Sequence, residues 1–278
     1  MTRIGLALGG GGARGLCHIE FINVLDSFQI KPSVISGTSI GSIIGAFYAA
    51  GVSGRDMRAL IERISLRELT KMVDFSILSP SGLVRGDGVI EFLEEHLPVS
   101  RFEDLEIPLK IVATDFWNRK EVVFDKGPLI PAIRASISIP GIFEPVTLDD
   151  VVMVDGGAVN PVPMSIIHEL CDFLIAIDVS GTNAPPRRNK VPAMFTAIMT
   201  FFQIMESSIN REQREIYKPD IYLRPKLENV QVLDFHRDDE ILASVAEDVD
   251  AFREQLVNKL ELKPRRSIWN VFRRNRKF

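Results

Sequence analysis

Cysteine is scarce in this chain of 278 residues, which contains only Cys17 and Cys171. The two lie far apart, and neither belongs to a spacing typical of metal ligands. This argues against a disulfide framework and fits a reducing, cytoplasmic compartment. No stretch reaches 18 consecutive apolar residues, so we expect no transmembrane helix. The apolar run at the N-terminus stops at a glycine cluster after five residues, which predicts a first strand rather than a signal peptide.

Acidic residues are absent from the last stretch, 263–278, which holds seven basic residues. Because the whole chain carries a net charge of −4, the first 262 residues carry −11. We treat 1–262 as one domain and 263–278 as a basic tail that also holds Trp269 and Phe272. An acidic body with such a tail favours peripheral contact with an anionic membrane and argues against a nucleic-acid partner. A disordered solubilising tail is the alternative.

Glycine is concentrated between the first predicted strand, 3–8, and a helical pattern that continues to Phe28. Residues 9–15 read Gly-Gly-Gly-Gly-Ala-Arg-Gly. Such a loop before a helix presents several backbone N–H groups to an anion. A dinucleotide fold would need an acidic residue at the end of the second strand, and a P-loop would need a lysine; the chain has neither in place. An acyl hydrolase would use the loop as its oxyanion hole.

Residues 37–41 read Gly-Thr-Ser-Ile-Gly, which matches the G-x-S-x-G pattern of a nucleophile elbow. A short β-branched run precedes them, and a small, apolar, proline-free segment follows at 40–50. Strand, sharp turn and helix form the context that this motif requires, with Ser39 exposed at the turn. Gly37 and Gly41 are expected because a side chain at either position would collide with the neighbouring elements.

A serine hydroxyl needs a general base, and the sequence offers few candidates. His168 lies in an ordinary helical pattern, His236 lies in a charged, surface-like run, and the role of His18 is open. Asp155 ends an apolar strand and is followed by two glycines, although a turn aspartate is common at such a place. Desolvation in an apolar cleft would raise the pKa of this carboxyl and make it a stronger base.

The remaining periodicities alternate between strand and helix, which predicts an α/β domain. Strands are predicted at 109–115, 121–124, 151–155, 173–178 and 220–224. Helices are predicted at 54–64, 89–96, 129–138, 192–209 and 238–260. Residues 65–88 and 181–190 are predicted as surface segments. One helix carries an apolar stripe that we interpret as core, with a lid as the alternative: Phe195, Ile198, Met199, Phe202, Met205 and Ile209.

Three motifs, at 10–15, 37–41 and 155–157, resemble in order and spacing those of the patatin-like phospholipase family. Residues 113–115, 135–140 and 160–161 extend the resemblance, which covers roughly residues 3–225 and is closest to small bacterial members. It implies a three-layer α/β/α sandwich with a mostly parallel central sheet. It also implies a serine acyl hydrolase that cleaves fatty-acyl esters of lipids without a metal or cofactor.

The resemblance assigns the roles within that site. Ser39 would be the nucleophile and Asp155 the general base and acid of a dyad without histidine. The apolar stripe at 195–209 would border the acyl channel. The loop residues assigned to the oxyanion hole are Gly10, Gly11, Gly12, Arg14 and Gly15. Two other functions stay open: a carboxylesterase or thioesterase acting on soluble acyl substrates, and a regulatory protein that retains the fold.

Overall fold

The computed structural model describes residues 2–63, 86–181, 191–228 and 230–262. Within these ranges, eight strands form one sheet. The strands are β1 (Ile4–Leu8), β2 (Val34–Thr38), β3 (Leu109–Asp115), β4 (Lys120–Phe124), β5 (Val146–Leu148), β6 (Val151–Asp155), β7 (Phe173–Ile177) and β8 (Ile221–Leu223). The predicted tail at 263–278, nearly all of the segment at 181–190 and most of that at 65–88 lie outside the described residues.

The helices of the described ranges pack around this sheet, and short 3-10 turns connect several of them. They are α1 (His18–Ser27), α2 (Ile40–Ala49), α3 (Gly54–Arg63), α4 (Asp87–His96), α5 (Leu129–Ser136), α6 (Met194–Tyr217), α7 (Asp238–Ser244) and α8 (Ala246–Lys259). None of these helices combines the length and apolarity required to cross a membrane.

The strand order is β5-β6-β3-β2-β1-β7-β8, with β4 paired to β3. The central neighbours β3, β2, β1, β7 and β8 run parallel, whereas β4, β5 and β6 pair antiparallel. The carboxyl ends of parallel strands meet at one edge of a sheet, where ligand sites of α/β proteins form. The loops that follow β1 and β2 therefore lie side by side at this edge.

The two faces of the sheet bury different amounts of apolar surface. Side chains such as Leu6, Ile35 and Ile175 point into a large core that α1 to α5, α7 and α8 share. On the opposite face, Ala7 and Leu174 pack in a smaller cluster under residues 160–170 and the C-terminal end of α6. The predicted three-layer α/β/α architecture with a mostly parallel sheet is confirmed, and its second covering layer is thin.

Two predicted helices, and the interpretation of one helix face, differ from the structure. The predicted helix at 238–260 is two helices, since the chain turns at Val245 between them. The predicted helix at 192–209 extends to Tyr217. The interpretation of its apolar stripe as core is wrong, because Phe195, Ile198 and Met205 are 47%, 43% and 38% exposed.

Candidate functional site

Ser39 lies between the last residue of β2 and the first residue of α2, with φ 54° and ψ −125°. A non-glycine residue in such a conformation costs roughly 1–3 kcal/mol and needs support from its surroundings. The Ser39 N–H donates to Ser136 Oγ at 2.9 Å, and the Ser39 carbonyl accepts from the Ser42 hydroxyl at 2.6 Å. Both sides of the strained residue are therefore fixed by hydrogen bonds.

Three glycines allow close approach around this turn. A Cβ atom on Gly41 would overlap the carbonyl of Leu8 at the end of β1. A Cβ on Gly37 would overlap the carbonyl of Gly41, and one on Gly15 would overlap the side chain of Ile40. The turn can therefore pack against β1 and the glycine-rich loop only because these three positions carry no Cβ atom.

Asp155 reaches Ser39 because β6 continues the line of β2 along β3. Val112 pairs with Thr38 on one side and with β4 on the other, and the next residue, Ala113, pairs with β4 and Asp155. Since β4 occupies one side of β3, both β2 and β6 lie on the opposite side and meet end to end. Their meeting point brings Asp155 beside the serine.

The carboxyl group of Asp155 is buried, with 7% of the residue exposed. Its Oδ1 accepts from the Gly157 N–H at 2.7 Å. Burial raises the pKa of Asp155 to about 6, although the Ser39 hydroxyl and the Gly157 N–H both favour its charged form. Among the described residues, no well-aligned donor reaches Oδ2. This oxygen is therefore free to accept a proton.

The backbone N–H groups of the glycine-rich loop fall into two sets, those already hydrogen-bonded within the protein and those that are not. Gly9 donates to Ile177 O and Gly10 to Pro161 O, both at 2.9 Å, so these two donors are occupied. Within the described ranges, no backbone acceptor outside the loop's own 3-10 turn engages Gly11 or Gly12. These two N–H groups are the loop donors that remain for a ligand.

Arg14 is buried and supports the loop from behind. Its Nε donates to the carbonyl of Gly11 at 3.2 Å. With the Gln203 amide oriented so that its oxygen faces Arg14, that oxygen accepts from Nη1 at 2.9 Å. Burial lowers the pKa of Arg14, while Glu206 and Asp178 oppose this effect. The side chain holds the loop's shape through these contacts.

The histidines lie elsewhere. His18 is buried, and its Nε2 contacts Gly9 O at 2.9 Å; burial lowers its pKa to about 4, so the ring is neutral and supports the loop. The His168 ring packs against Tyr217, and His236 is exposed. No histidine lines either cavity that Ser39 borders in the described part of the chain.

Ser39 lies at the junction of two cavities. An apolar cavity of about 140 Å³ has walls from α1 to α4 and from the segments around 137–143 and 232–235. Along α2 it is lined by Ile40, Ile43, Ile44 and Phe47. A smaller cavity of about 50 Å³ is called the polar cavity because Arg14, Asp155, Gln203 and Glu206 line it, together with Gly11 and Gly12. Apolar side chains such as Met199, Phe202 and Val232 form the rest of its wall. An ester centred on Ser39 would therefore face different surroundings on its two sides.

The stripe at 195–209, which was expected to border an acyl channel, contributes little to the two cavities that Ser39 borders. Only its Met199 and Phe202 approach the site, and they line the polar cavity. Sequence reasoning also missed Gln203 and Glu206, and it gave no role to Ser136, although residues 135–140 belong to the resemblance. The available signal was helical spacing: Gln203 and Glu206 lie four and seven residues after Met199, so all three share one helix face.

No cluster of three or more His, Cys, Asp or Glu side chains arranged to hold a metal ion occurs in the described ranges. Burial and the nearby Asp155 raise the pKa of Glu206 to about 8, while Arg14 acts in the opposite direction. The polar cavity therefore holds two carboxyl groups whose pKa values differ, beside one buried guanidinium.

Comparison with known proteins matches residues 6–168 to the family described as Patatin-like phospholipase. An uncharacterized NTE family protein of Mycobacterium tuberculosis is 36% identical over 191 residues, which cover 68% of this chain and 52% of that protein. Lysophospholipase NTE1 of Kluyveromyces lactis is 26% identical over 287 residues, covering 94% of this chain and 20% of that protein. The chain thus spans about half of the mycobacterial relative and a fifth of the yeast one.

Among solved structures, VipD from Legionella pneumophila has a TM-score of 0.50 and 13% sequence identity, covering 90% of this chain and 67% of that chain. This likeness concerns the fold alone. The family match spans more than half of the chain and contains the glycine-rich loop, the Ser39 turn and Asp155. The chain belongs to the patatin-like phospholipase family.

Proposed function

We propose that this protein is a serine acyl hydrolase that cleaves fatty-acyl ester bonds of lipids through a Ser39–Asp155 dyad. The observation that carries the proposal is the position of the strained Ser39 beside the buried Asp155 carboxyl, where an apolar cavity meets a polar one. The relatives named lysophospholipase support a lipid substrate. The raised pKa of Asp155 makes this carboxylate a stronger base than an exposed aspartate.

In the first half of the reaction, Ser39 Oγ attacks the acyl carbonyl carbon and its proton passes to Asp155. The N–H groups of Gly11 and Gly12 stabilise the oxyanion, and the turn around Ser39 acts as the nucleophile elbow. Asp155 then gives its proton to the leaving alcohol oxygen, and the acyl-enzyme remains. In the second half, water attacks this ester, and its proton passes through Asp155 to restore Ser39.

The acyl chain would occupy the apolar cavity beside α2. Ser39 lies at the start of this helix and Phe47 two turns later, a distance of about 12 Å at 1.5 Å per residue. Side chains from one face of α2 form the wall along this path. The cavity therefore fits an extended, medium-length acyl chain, and no charged side chain among its lining residues could bind a charged acid.

The proposed activity is tested with purified wild type and Ser39→Ala. We expect wild type to hydrolyse phospholipid vesicles and 4-nitrophenyl esters, and Ser39→Ala to lose at least about a thousandfold in kcat/KM on both. A fluorophosphonate probe should label Ser39 in wild type only. Activity confined to short soluble esters would favour the carboxylesterase or thioesterase alternative, and an unreactive Ser39 would reject the hydrolase.

We further propose that the outward face of α6 contacts the membrane that supplies the substrate. The first half of this helix has no charged residue up to Met205, and its outward side chains are exposed. They include Met194, Phe195, Ile198, Phe201 and Ile204. The opposite face of the same helix borders the polar cavity, so lipid contact would place this opening next to the bilayer.

Membrane contact is tested by vesicle sedimentation. The double variant Phe201→Ser/Ile204→Ser should bind vesicles more weakly while retaining hydrolysis of a soluble ester. Trp117→Ser is the matched control, because Trp117 is 75% exposed at another site. Deletion of 263–278 tests the basic tail separately, with a salt-dependent loss expected on anionic vesicles. Unchanged binding by the double variant would exclude α6 as the contact surface.

A further inference from the structure

Glu206 is a second carboxyl group at the dyad, contributed by the inward face of α6. A Cβ atom on Gly157 would lie 2.6 Å from Glu206 Oε1 and 3.0 Å from Asp155 Oδ1. The two carboxyl groups are therefore close enough for their charges to interact, within roughly 4–6 Å. Glycine at 157 leaves the space that Glu206 occupies.

The Glu206 carboxyl has no hydrogen-bond partner among the described residues, and the side chain is partly buried where it lines the polar cavity. Its carboxyl oxygens are therefore available to a ligand that enters this cavity. The charged groups that face it are Asp155 at the end of β6, Arg14 in the glycine-rich loop and Asp178 after β7. With its raised pKa, Glu206 is protonated at neutral pH and can donate a hydrogen bond as well as accept one.

The position of Glu206 relative to Ser39 defines which part of a substrate it can reach. Ser39 borders both cavities, and the larger one is apolar throughout. An acyl chain in that cavity directs the alcohol portion of the ester into the polar cavity, toward Gln203 and Glu206.

We propose that Glu206 binds a hydroxyl group on the alcohol portion of the ester and so makes the enzyme selective for glyceryl esters. This inference rests on the proposed hydrolase function. A free hydroxyl both donates and accepts a hydrogen bond, which matches a protonated carboxyl group. Arg14 is already engaged by Gly11 and Gln203, so Glu206 is the group available to this hydroxyl.

The test compares two substrates with the same acyl chain, 1-octanoylglycerol and 4-nitrophenyl octanoate. We expect Glu206→Leu to lower kcat/KM about tenfold or more for the glyceryl ester, with less than about a threefold change for the nitrophenyl ester. Glu206→Gln should retain most of the selectivity, since an amide also donates and accepts. Glu212→Leu is the matched control on the exposed part of the same helix.

An equal loss on the two esters, or no loss on either, would overturn the role of Glu206. A preference that Glu206→Gln fails to preserve would also contradict it. The proposed function fails in a different way, because wild type would then show no Ser39-dependent hydrolysis of either ester. The two failures are therefore distinguishable in one set of assays.

Discussion

The Ser136 hydroxyl connects the backbone of Ser39 to the neighbouring strand. It accepts from the Ser39 N–H at 2.9 Å and donates to the carbonyl of Val112 at 2.6 Å. Ser136 ends α5, and it is fully buried. One side chain thus holds a strained backbone residue in register with β3.

Ser136→Ala should therefore lower kcat more than it raises KM. The substitution leaves the buried Ser39 N–H without its acceptor, a loss of about 1–3 kcal/mol that falls on the conformation of the nucleophile. Steady-state kinetics on 4-nitrophenyl octanoate measure the effect. Ser244→Ala, which removes a similar serine-to-carbonyl bond in α7, should leave kcat unchanged. Equal effects of the two variants would mean that Ser136 acts through general stability.

Asp155→Asn should abolish turnover, whereas His168→Ala and His236→Ala should retain it nearly in full. The amide cannot accept the Ser39 proton, while both histidine rings lie away from the cavities that Ser39 borders. The measurement is kcat/KM with a circular-dichroism check of folding. A folded but inactive histidine variant would refute the dyad.

The dependence of kcat/KM on pH should be bell-shaped. Activity should rise through about pH 6 as Asp155 ionises and becomes a base. For 1-octanoylglycerol it should fall through about pH 8, as Glu206, which faces Asp155, Arg14 and Asp178, loses the proton that it donates to the substrate hydroxyl. Glu206→Gln should remove the alkaline limb alone. An unchanged alkaline limb in that variant would assign it to another group.

Asp155→Asn should also stabilise the fold at alkaline pH. The pKa of Asp155 is raised from 3.8 to about 6 in the folded state. Below pH 3.8 the carboxyl is neutral in both the folded and the unfolded protein and does not destabilise the fold. The penalty for burying its charge grows above pH 3.8 and is complete once the pH has risen through 6. At pH 8 the ionised carboxylate costs about 3 kcal/mol at 1.36 kcal/mol per pKa unit. Urea unfolding should show this gain at pH 8 and a progressively smaller one below pH 6. A gain that is constant with pH would indicate a cause other than ionisation.

Ile43→Phe should shorten the acyl chain that the enzyme accepts. Ile43 lies one turn beyond Ser39 and lines the apolar cavity, so a larger side chain would fill the path along α2. We expect kcat/KM for decanoate esters to fall about tenfold or more while acetate esters are unaffected. Leu170→Phe, at a residue 44% exposed, is the control. A uniform loss across chain lengths would place the acyl chain elsewhere.

The sequence predicts those parts of the site that depend on local pattern. The turn at Ser39 and the strand end at Asp155 can both be predicted, because glycines at fixed offsets permit only a few backbone conformations. The pairing of β6 with β3 cannot be predicted, because the alternation of apolar residues along a strand does not specify which strand it pairs with or in which direction. Two strands that meet end to end on a third are visible only in the folded sheet.

The helix α6 shows a second kind of limit. Its periodicity identifies which residues share a face, but both of its faces carry large apolar side chains, such as Phe201 and Phe202. Which face is exposed depends on the neighbours that the helix meets. Glu206 was missed for the same reason, since its burial comes from the approach of α6 to Gly157 rather than from its own surroundings in the sequence.

The end-to-end meeting of β2 and β6 has a consequence for biosynthesis. Ser39 is synthesised early in translation and Asp155 much later, and the strands that carry them both pair with β3. Contacts between residues so distant in the chain are slow to form, because a long loop must close first. In the proposed dyad, a nascent chain that has not yet been synthesised past Asp155 would hold Ser39 without its base, and hydrolytic activity would require the finished sheet.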